Sequence, residues 1–200
     1  VNQLPAITVQ PVALAAPICP GFNVTYTVTA TGAGLTYQWR RNGVNLVNGG
    51  LINLSTISGA TTNSLTITNV GRANAGTYDV VVSGTCPPPV TSVGVVLVVA
   101  TAPTITTQPA NRTVCAPDPA VFTVVGGGAP LPTSYQWQVS TTGAGGPWVN
   151  LTTGGSYTPT LTVTPTATSQ TGSLYRVILT NNCGQSTTSN NAVLTVNART

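Results

Sequence analysis

The side chains that most often carry out catalysis are nearly absent from this chain. It has no histidine, lysine or glutamate, and its only carboxylates are Asp79 and Asp118. This inventory excludes a Ser-His-Asp triad and a lysine nucleophile. A glycosidase would need two carboxylates within about 10 Å of each other, but one aspartate lies in a predicted strand and the other in a proline-flanked turn of the opposite half. We therefore predict that the protein is not an enzyme.

The four cysteines, Cys19, Cys86, Cys115 and Cys183, are the other residues with reactive side chains. They lack the paired spacing of a zinc site, and the sequence has no Cys-x-x-Cys redox motif. Two separated aspartates also cannot gather the oxygen ligands that calcium requires. We predict no metal and no cofactor, which leaves disulfide formation as the chemistry of these residues. Disulfides would indicate a location outside the cytoplasm.

The composition indicates a folded protein with an unusually uncharged surface. Only 4% of the residues are charged, 41% are hydrophobic, and six arginines against two aspartates give a net charge of +4. Disordered chains are usually charged and hydrophilic, so disorder does not fit. A surface made mainly of Thr, Ser, Asn and Gly has little long-range repulsion, which favours association with other copies of the chain.

Nucleic-acid and membrane partners are not expected. The arginines are scattered, and only Arg40 and Arg41 are adjacent, whereas a phosphate-binding surface needs clustered charge. The most apolar run, residues 93–102, is too short to span a bilayer. Its valine-rich content predicts a buried strand instead.

The landmarks of the first half of the chain return in the second half. Tyr37-Gln38-Trp39 recurs 98 positions later as Tyr135-Gln136-Trp137, and each half has one early and one late cysteine. A repeat this long indicates two copies of a whole domain, which we place at residues 1–100 and 101–200. The chain starts and ends at equivalent points of the repeat. This favours a section of a longer tandem array over a two-domain protein without its signal peptide.

Apolar and polar residues alternate with a period of two through most of the chain. Phe22, Val24, Tyr26 and Val28 form one such series, which indicates a half-buried strand. Asn42-Gly43 lies between two such runs and predicts a tight hairpin turn. About seven short strands per copy, and no segment with a helical period and caps, predict an antiparallel sandwich. The fold class is therefore all-β.

Two further motifs connect this pattern to a known family. They are the tryptophan of each Tyr-Gln-Trp and the run Leu65 to Val70 followed by Asn74-Ala75-Gly76-Thr77-Tyr78. With them, each copy resembles an immunoglobulin-like (Ig-like) domain of the kind found in tandem in bacterial surface proteins and adhesins. The resemblance implies two tandem Ig-like antiparallel β-sandwiches with Trp39 and Trp137 in their cores. It also implies that Tyr78, and Tyr175 after one extra residue, form a tyrosine corner by bonding back to the preceding turn.

Within this resemblance, the cysteines depart from the antibody pattern. The positions that an antibody disulfide would join correspond to Tyr26 and Val80 in the first copy and to Val124 and Val177 in the second. The resemblance therefore implies that apolar packing replaces the central disulfide.

The Ig-like topology separates the early and late cysteines of each copy. Cys19 and Cys115 lie where the first strand turns into the second, and Cys86 and Cys183 lie in the turn between the last two strands, at the opposite end. About eight strand residues would separate these ends by about 25 Å, whereas disulfide-bonded Cα atoms lie within about 7 Å. The resemblance thus implies an inter-domain Cys19–Cys183 bond, with Cys86 and Cys115 joining neighbouring modules or subunits. One bond within each domain, Cys19–Cys86 and Cys115–Cys183, is the alternative, and buried thiols are a third.

Trp148 is the candidate ligand contact. It follows the glycine-rich stretch 143–147 and has no counterpart in the first copy, so its ring could serve a sugar-binding surface or could pack under a loop. Four asparagines head Asn-x-Ser/Thr sequons, which matter only where the source glycosylates asparagine: Asn23, Asn53, Asn111 and Asn150.

These features together predict an extracellular structural module at a cell surface. Ig-like domains would stack end to end in a stalk, adhesin or filament and would be linked by disulfides. Neighbouring Ig-like modules or copies of the chain itself would be its partners. The alternative is a carbohydrate- or protein-binding accessory module of a secreted enzyme, with a surface glycan or a protein as its ligand.

Overall fold

The structure is a computed structural model that describes residues 3–199. The chain divides into two compact units, Val1–Ala100 and Thr101–Thr200. As predicted, the fold is all-β: the only helices among the described residues are two single 3-10 turns, Arg72–Asn74 and Thr168–Gln170. Neither helix is long or apolar enough to cross a membrane.

Unit 1 is built from two antiparallel sheets around one core. The first sheet has the strand order β2-β8-β7-β6, and the second has the order β10-β9-β4-β5, with β11 also paired to β9. A short β1–β3 pair lies beside them. The strands are β1 (Ala6–Val9), β2 (Val24–Thr27), β3 (Thr29–Thr31), β4 (Thr36–Arg41), β5 (Val44–Asn45), β6 (Leu51–Ile52), β7 (Ser55–Ser58), β8 (Ser64–Thr68), β9 (Gly76–Ser83), β10 (Val90–Thr91) and β11 (Val95–Leu97).

Unit 2 repeats this plan with fewer strands. Its larger sheet has the order β13-β21-β19-β16-β17, with β20 also paired to β19, and its smaller sheet contains only β14 and β18. A β12–β15 pair corresponds to β1–β3. The strands are β12 (Thr104–Thr107), β13 (Arg112–Cys115), β14 (Ala120–Thr123), β15 (Val125–Gly127), β16 (Ser134–Ser140), β17 (Val149–Asn150), β18 (Thr160–Val163), β19 (Leu174–Thr180), β20 (Ser186–Thr188) and β21 (Ala192–Asn197).

The core of unit 1 is centred on Trp39. This side chain is fully buried in β4, and its indole N–H donates a hydrogen bond of 2.9 Å to the carbonyl of Thr62. The Tyr26 ring lies 6.4 Å from the Trp39 ring and 5.7 Å from the Tyr78 ring, measured between centroids. Offset aromatic packing of this kind adds to the stabilisation from burial alone.

Unit 2 has the same arrangement around Trp137. Its indole N–H donates to the carbonyl of Thr158 at 2.9 Å, and the Phe122 and Tyr175 rings stack with centroids 4.8 Å apart. In both units, apolar packing occupies the place of the antibody disulfide. The four residues at those positions are all buried: Tyr26, Val80, Val124 and Val177.

The hairpin predicted at Asn42-Gly43 is present. It joins β4 to β5, and the two residues have φ angles of 50° and 79°. Both angles lie in the left-handed region, which asparagine and glycine tolerate better than other residues do.

Two predictions about strand burial were wrong. Phe22 does not continue the inward series of Val24 and Tyr26, because β2 begins only at Val24, and the Phe22 side chain is 62% exposed. The run 93–102 is not buried on both faces. Val96 is 54% exposed and Val98 is 44% exposed, because β11 is an edge strand with one face toward solvent.

The tyrosine corner forms in unit 1 only. The Tyr78 hydroxyl donates a 2.7 Å hydrogen bond to the carbonyl of Asn74, at the end of the 3-10 turn. The Asn74 side-chain oxygen in turn accepts bonds from Ser55 Oγ and the Gly71 N–H. In unit 2 the extra residue separates Tyr175 from its 3-10 turn. The Tyr175 hydroxyl makes no hydrogen bond within residues 3–199, so the implied second corner is wrong.

This difference predicts unequal effects of removing the two hydroxyls. Tyr78→Phe should lower the free energy of unfolding by about 1 kcal/mol, because it leaves the buried Asn74 carbonyl without its donor. Tyr175→Phe should change it little. Burial raises the pKa of both phenols, so both are protonated at neutral pH. Denaturant unfolding of the two variants tests this expectation, and equal losses would contradict it.

Candidate functional site

In unit 1, both cysteines lie in connections between strands. Cys19 follows Ile18, whose N–H donates to the carbonyl of Val98 at 2.9 Å and whose carbonyl accepts the Ala100 N–H at 2.8 Å. This isolated parallel bridge holds the start of the Cys19 segment against the last strand. Cys86 is half-buried in the turn between β9 and β10.

In unit 2, the cysteines occupy the equivalent places. Cys115 is the last residue of β13 and pairs with Asn197 of β21. Cys183 lies in the predicted turn between β19 and β20, where its N–H donates to the Asn181 side-chain oxygen at 2.9 Å. The Gly184 N–H closes this turn on the Asn181 carbonyl at 3.0 Å.

The cysteines of unit 2 are not in the same chemical state. Cys115 is an exposed free thiol, whereas Cys183 is disulfide-bonded, as is Cys19. The Cys115–Cys183 bond of the one-disulfide-per-domain alternative is therefore not formed. No group of three or more His, Cys, Asp or Glu side chains among the described residues lies close enough to hold a metal ion.

Trp148 is neither fully exposed nor packed under a loop. It is half-buried, and the guanidinium carbon of Arg176 lies 3.9 Å from the centre of its ring, in a cation–π contact. Arg176 Nε donates to Gln138 Oε1 at 2.7 Å, and Gln138 Nε2 donates to Asn150 Oδ1 at 2.8 Å. Asn150, Gln138 and Arg176 are in register across β17, β16 and β19. We call these four residues the Trp148 cluster.

The corresponding residues of unit 1 carry a different set of charges. There Asn45, Arg40 and Asp79 are in register, and Arg40 donates two hydrogen bonds of 2.8 and 2.9 Å to Asp79. This pairing raises the pKa of Arg40. In unit 2, the residue after the core tyrosine is Arg176 instead of aspartate.

Arg176 therefore has no carboxylate partner among residues 3–199. Asp79 and Asp118 are the only two carboxylate side chains, and they pair with Arg40 and Arg199. A half-buried tryptophan beside an unneutralised guanidinium can stack on a sugar ring and bind a carboxylate. Sequence reasoning selected Trp148 but missed Arg176. An alignment of the two copies at Tyr78 and Tyr175 places Arg176 at the position of Asp79 and would have identified it.

The sequon asparagines lie on the surface, and at least two of them support the backbone. All four are exposed. Asn23 Oδ1 accepts the Asn69 N–H at 3.0 Å, and Asn111 Oδ1 accepts the Val193 N–H at 2.8 Å.

Comparison with solved structures shows the tandem Ig-like fold. The chain is similar to the first two Ig domains of DIP-gamma, with a TM-score of 0.57, 15% identity, and coverage of 98% of this chain and 99% of that one. It is also similar to the titin I-band fragment I67–I69, with a TM-score of 0.57, 16% identity, and coverage of 99% and 67%. For Sidekick-1 Ig domains 1–4 these values are 0.52, 20%, 98% and 49%. At this identity the likeness concerns the fold alone.

No protein-family model matches the chain, and a search of curated proteins found no match. The fold is thus that of tandem Ig-like domains, and the cysteines and the Trp148 cluster are the features that distinguish this chain.

Proposed function

We propose that this chain is a non-enzymatic, extracellular structural module of a bacterial cell-surface stalk, adhesin or filament. Its Ig-like domains would stack end to end and be linked covalently by disulfides. The observation that carries this proposal is that Cys183 is disulfide-bonded while Cys115, the other cysteine of unit 2, is an exposed free thiol.

The state of these cysteines supports a bond between the two units. The partner of Cys183 is not Cys115, and Cys19 is the other disulfide-bonded cysteine. We infer that Cys19 and Cys183 are joined to each other. This bond would tie the segment that precedes β2 of unit 1 to the turn between β19 and β20 of unit 2.

The repeat extends the same logic beyond one chain. Cys115 is equivalent to Cys19, and Cys86 is equivalent to Cys183, because each pair occupies the same place in its unit. A Cys115–Cys86 bond between consecutive chains would therefore reproduce the Cys19–Cys183 bond. Repetition would give a row in which every module is covalently joined to the next. Because few surface residues are charged, electrostatic repulsion between neighbouring modules would be small.

The proposal predicts growth that depends on oxidation. Under mild oxidant, the purified chain should form elongated rows in electron micrographs, and a reductant should return them to single chains. Cys115→Ser should stop growth while keeping the single chain intact, with Thr123→Ser, an exposed position of β14, as the control away from the cysteines. Rows of the Cys115→Ser variant as long as those of the unmodified chain would contradict the proposal.

The Trp148 cluster favours one second candidate function, a carbohydrate-binding module. Its chemistry would select a saccharide that carries a carboxylate, because Arg176 lacks an anionic partner in the described part of the chain. On a glycan array, the chain should then bind acidic sugars, and Trp148→Ala should weaken that binding by about tenfold or more, the equivalent of about 1.4 kcal/mol. Tyr157→Ala, which removes another exposed aromatic of unit 2, should leave it unchanged. An array without acidic-sugar binding would exclude this candidate.

A further inference from the structure

Unit 2 lacks a strand that completes the core of unit 1. In unit 1, β7 pairs with β8, and its Ile57 lies opposite Ile67 with only 1% of its side chain exposed. Within residues 101–199, β18 is the counterpart of β8, but its sheet contains only β14 and β18.

A shorter connection explains this loss. The Leu46 and Leu151 N–H groups both donate to the carbonyl of the core tryptophan, and the tryptophan N–H groups donate to the carbonyls of Ala60 and Ser156. These bonds mark equivalent points, so the segment 46–60 of unit 1 is reduced to 151–156 in unit 2. One bond of the missing ladder remains, from the Thr162 N–H to the Gly154 carbonyl at 2.6 Å.

A cleft of about 370 Å³ lies where the missing strand would pack. Val139, Leu151 and Val163 contribute apolar walls, and Tyr175, which forms no corner, also lines it. Val163 pairs with Ala120 as Ile67 pairs with Val24, so it is the counterpart of Ile67. It is only half-buried, whereas Ile67 is fully buried. Unit 1 thus shows what kind of group covers this edge: a short antiparallel strand with an aliphatic side chain.

Unit 1 contains an exposed segment with these properties. Residues 12–16 lie outside any strand, and none of their backbone groups makes a hydrogen bond within the described part of the chain. Val12 is 76% exposed and Leu14 is 39% exposed. With Cys19 and Cys115 aligned, β13 of unit 2, which pairs with β21, corresponds to residues 16–19 of unit 1. In unit 1 Pro17 lacks an N–H, and the pairing is reduced to Ile18.

We propose that residues 12–16 of one chain dock in this cleft in a second chain, beside Val163 and Thr164, which the bond from Thr162 to Gly154 leaves uncovered. Leu14 then enters the cleft in the role that Ile57 has in unit 1. Pro11 and Pro17 limit this segment to five residues, one more than the four of β7. Neither surface carries a charged side chain at these positions, so no charge is desolvated. The choice of a second copy as occupant rests on the proposed self-association.

A peptide with the sequence of residues 11–17 tests the cleft directly. Added to the isotopically labelled Cys115→Ser chain, it should shift the amide signals of Val163, Thr164 and Tyr175. The signals of Ile67 and Thr68, on the edge that β7 already covers, should not move. The same peptide with Leu14→Asp should have no effect. No shift, or equal shifts at both edges, would overturn the proposal.

Self-association in the Cys115→Ser background tests the occupant. Sedimentation should show reversible, concentration-dependent association, because each chain carries both the segment and the cleft, and Leu14→Asp should weaken it by at least about tenfold. Monomers at all concentrations, or association that Leu14→Asp leaves unchanged, would overturn the second copy as occupant. Disulfide-linked growth of the Leu14→Asp chain with Cys115 intact is expected to continue, because the covalent bonds and not the cleft hold the row. If the unmodified chain fails to grow under oxidant while the peptide still shifts the cleft signals, the proposed array is overturned and the cleft proposal stands.

Discussion

Reduction of the Cys19 disulfide should add roughly 550 Å to the length of chain that force can extend, at 3.3–3.6 Å per residue. If Cys19 and Cys183 are joined, a pull on the two termini loads only the residues outside that bond. The residues between the two cysteines, which form most of both hydrophobic cores, are bypassed by the covalent link. This is the mechanical property that a stalk or filament under tension requires.

Single-molecule stretching with and without reductant measures this length. Cys183→Ser should behave like the reduced chain in both conditions, and Cys115→Ser should behave like the unmodified chain. An extension that is long before any reductant is added would show that the two units are not bridged.

Trp39→Ala should lower the free energy of unfolding of unit 1 by about 3–5 kcal/mol. The side chain is completely buried, contacts the aromatic cluster and satisfies the Thr62 carbonyl, so its removal leaves both a cavity and an unpaired acceptor. Trp137→Ala should do the same to unit 2. Since domains of this size are typically stable by 5–15 kcal/mol, either change should remove a large part of the total.

Calorimetry of a third variant can show whether the loss of stability comes from the core positions or from the removal of any tryptophan. Trp148→Ala is the matched control, because Trp148 is half-buried and packs on Arg176 and not in the core. It should change the unfolding temperature by far less than Trp39→Ala or Trp137→Ala. Equal effects of all three substitutions would contradict the assignment of the two core positions.

Local patterns in the sequence predicted the fold well. The alternation around Val24 and Tyr26 corresponds to β2, and both repeated tryptophans are buried. The Asn42-Gly43 pair forms the predicted hairpin turn, between β4 and β5. These features depend on residues near one another in the chain or on side chains large enough to require a core. The repeat made them visible twice.

Features that depend on long-range pairing could not be predicted in the same way. Unit 2 has no counterpart of β7 because the connection 151–156 is short. No strand therefore pairs with β18 in the place where β7 pairs with β8. The Tyr175 corner fails because one inserted residue displaces its acceptor. Trp148 packs on Arg176 because β17, β16 and β19 bring distant positions together. None of these contacts has a local signature.

The pairing of the cysteines is the central claim, and tryptic mapping without reduction tests it most directly. Cleavage after arginine places each cysteine in its own peptide, because the chain has no lysine: 1–40, 73–112, 113–176 and 177–199 carry Cys19, Cys86, Cys115 and Cys183. Our account predicts that peptide 1–40 is linked to peptide 177–199 in the single chain. In oxidised rows, peptide 113–176 should be linked to peptide 73–112. Peptide 1–40 linked to peptide 73–112, with 113–176 linked to 177–199, would contradict it.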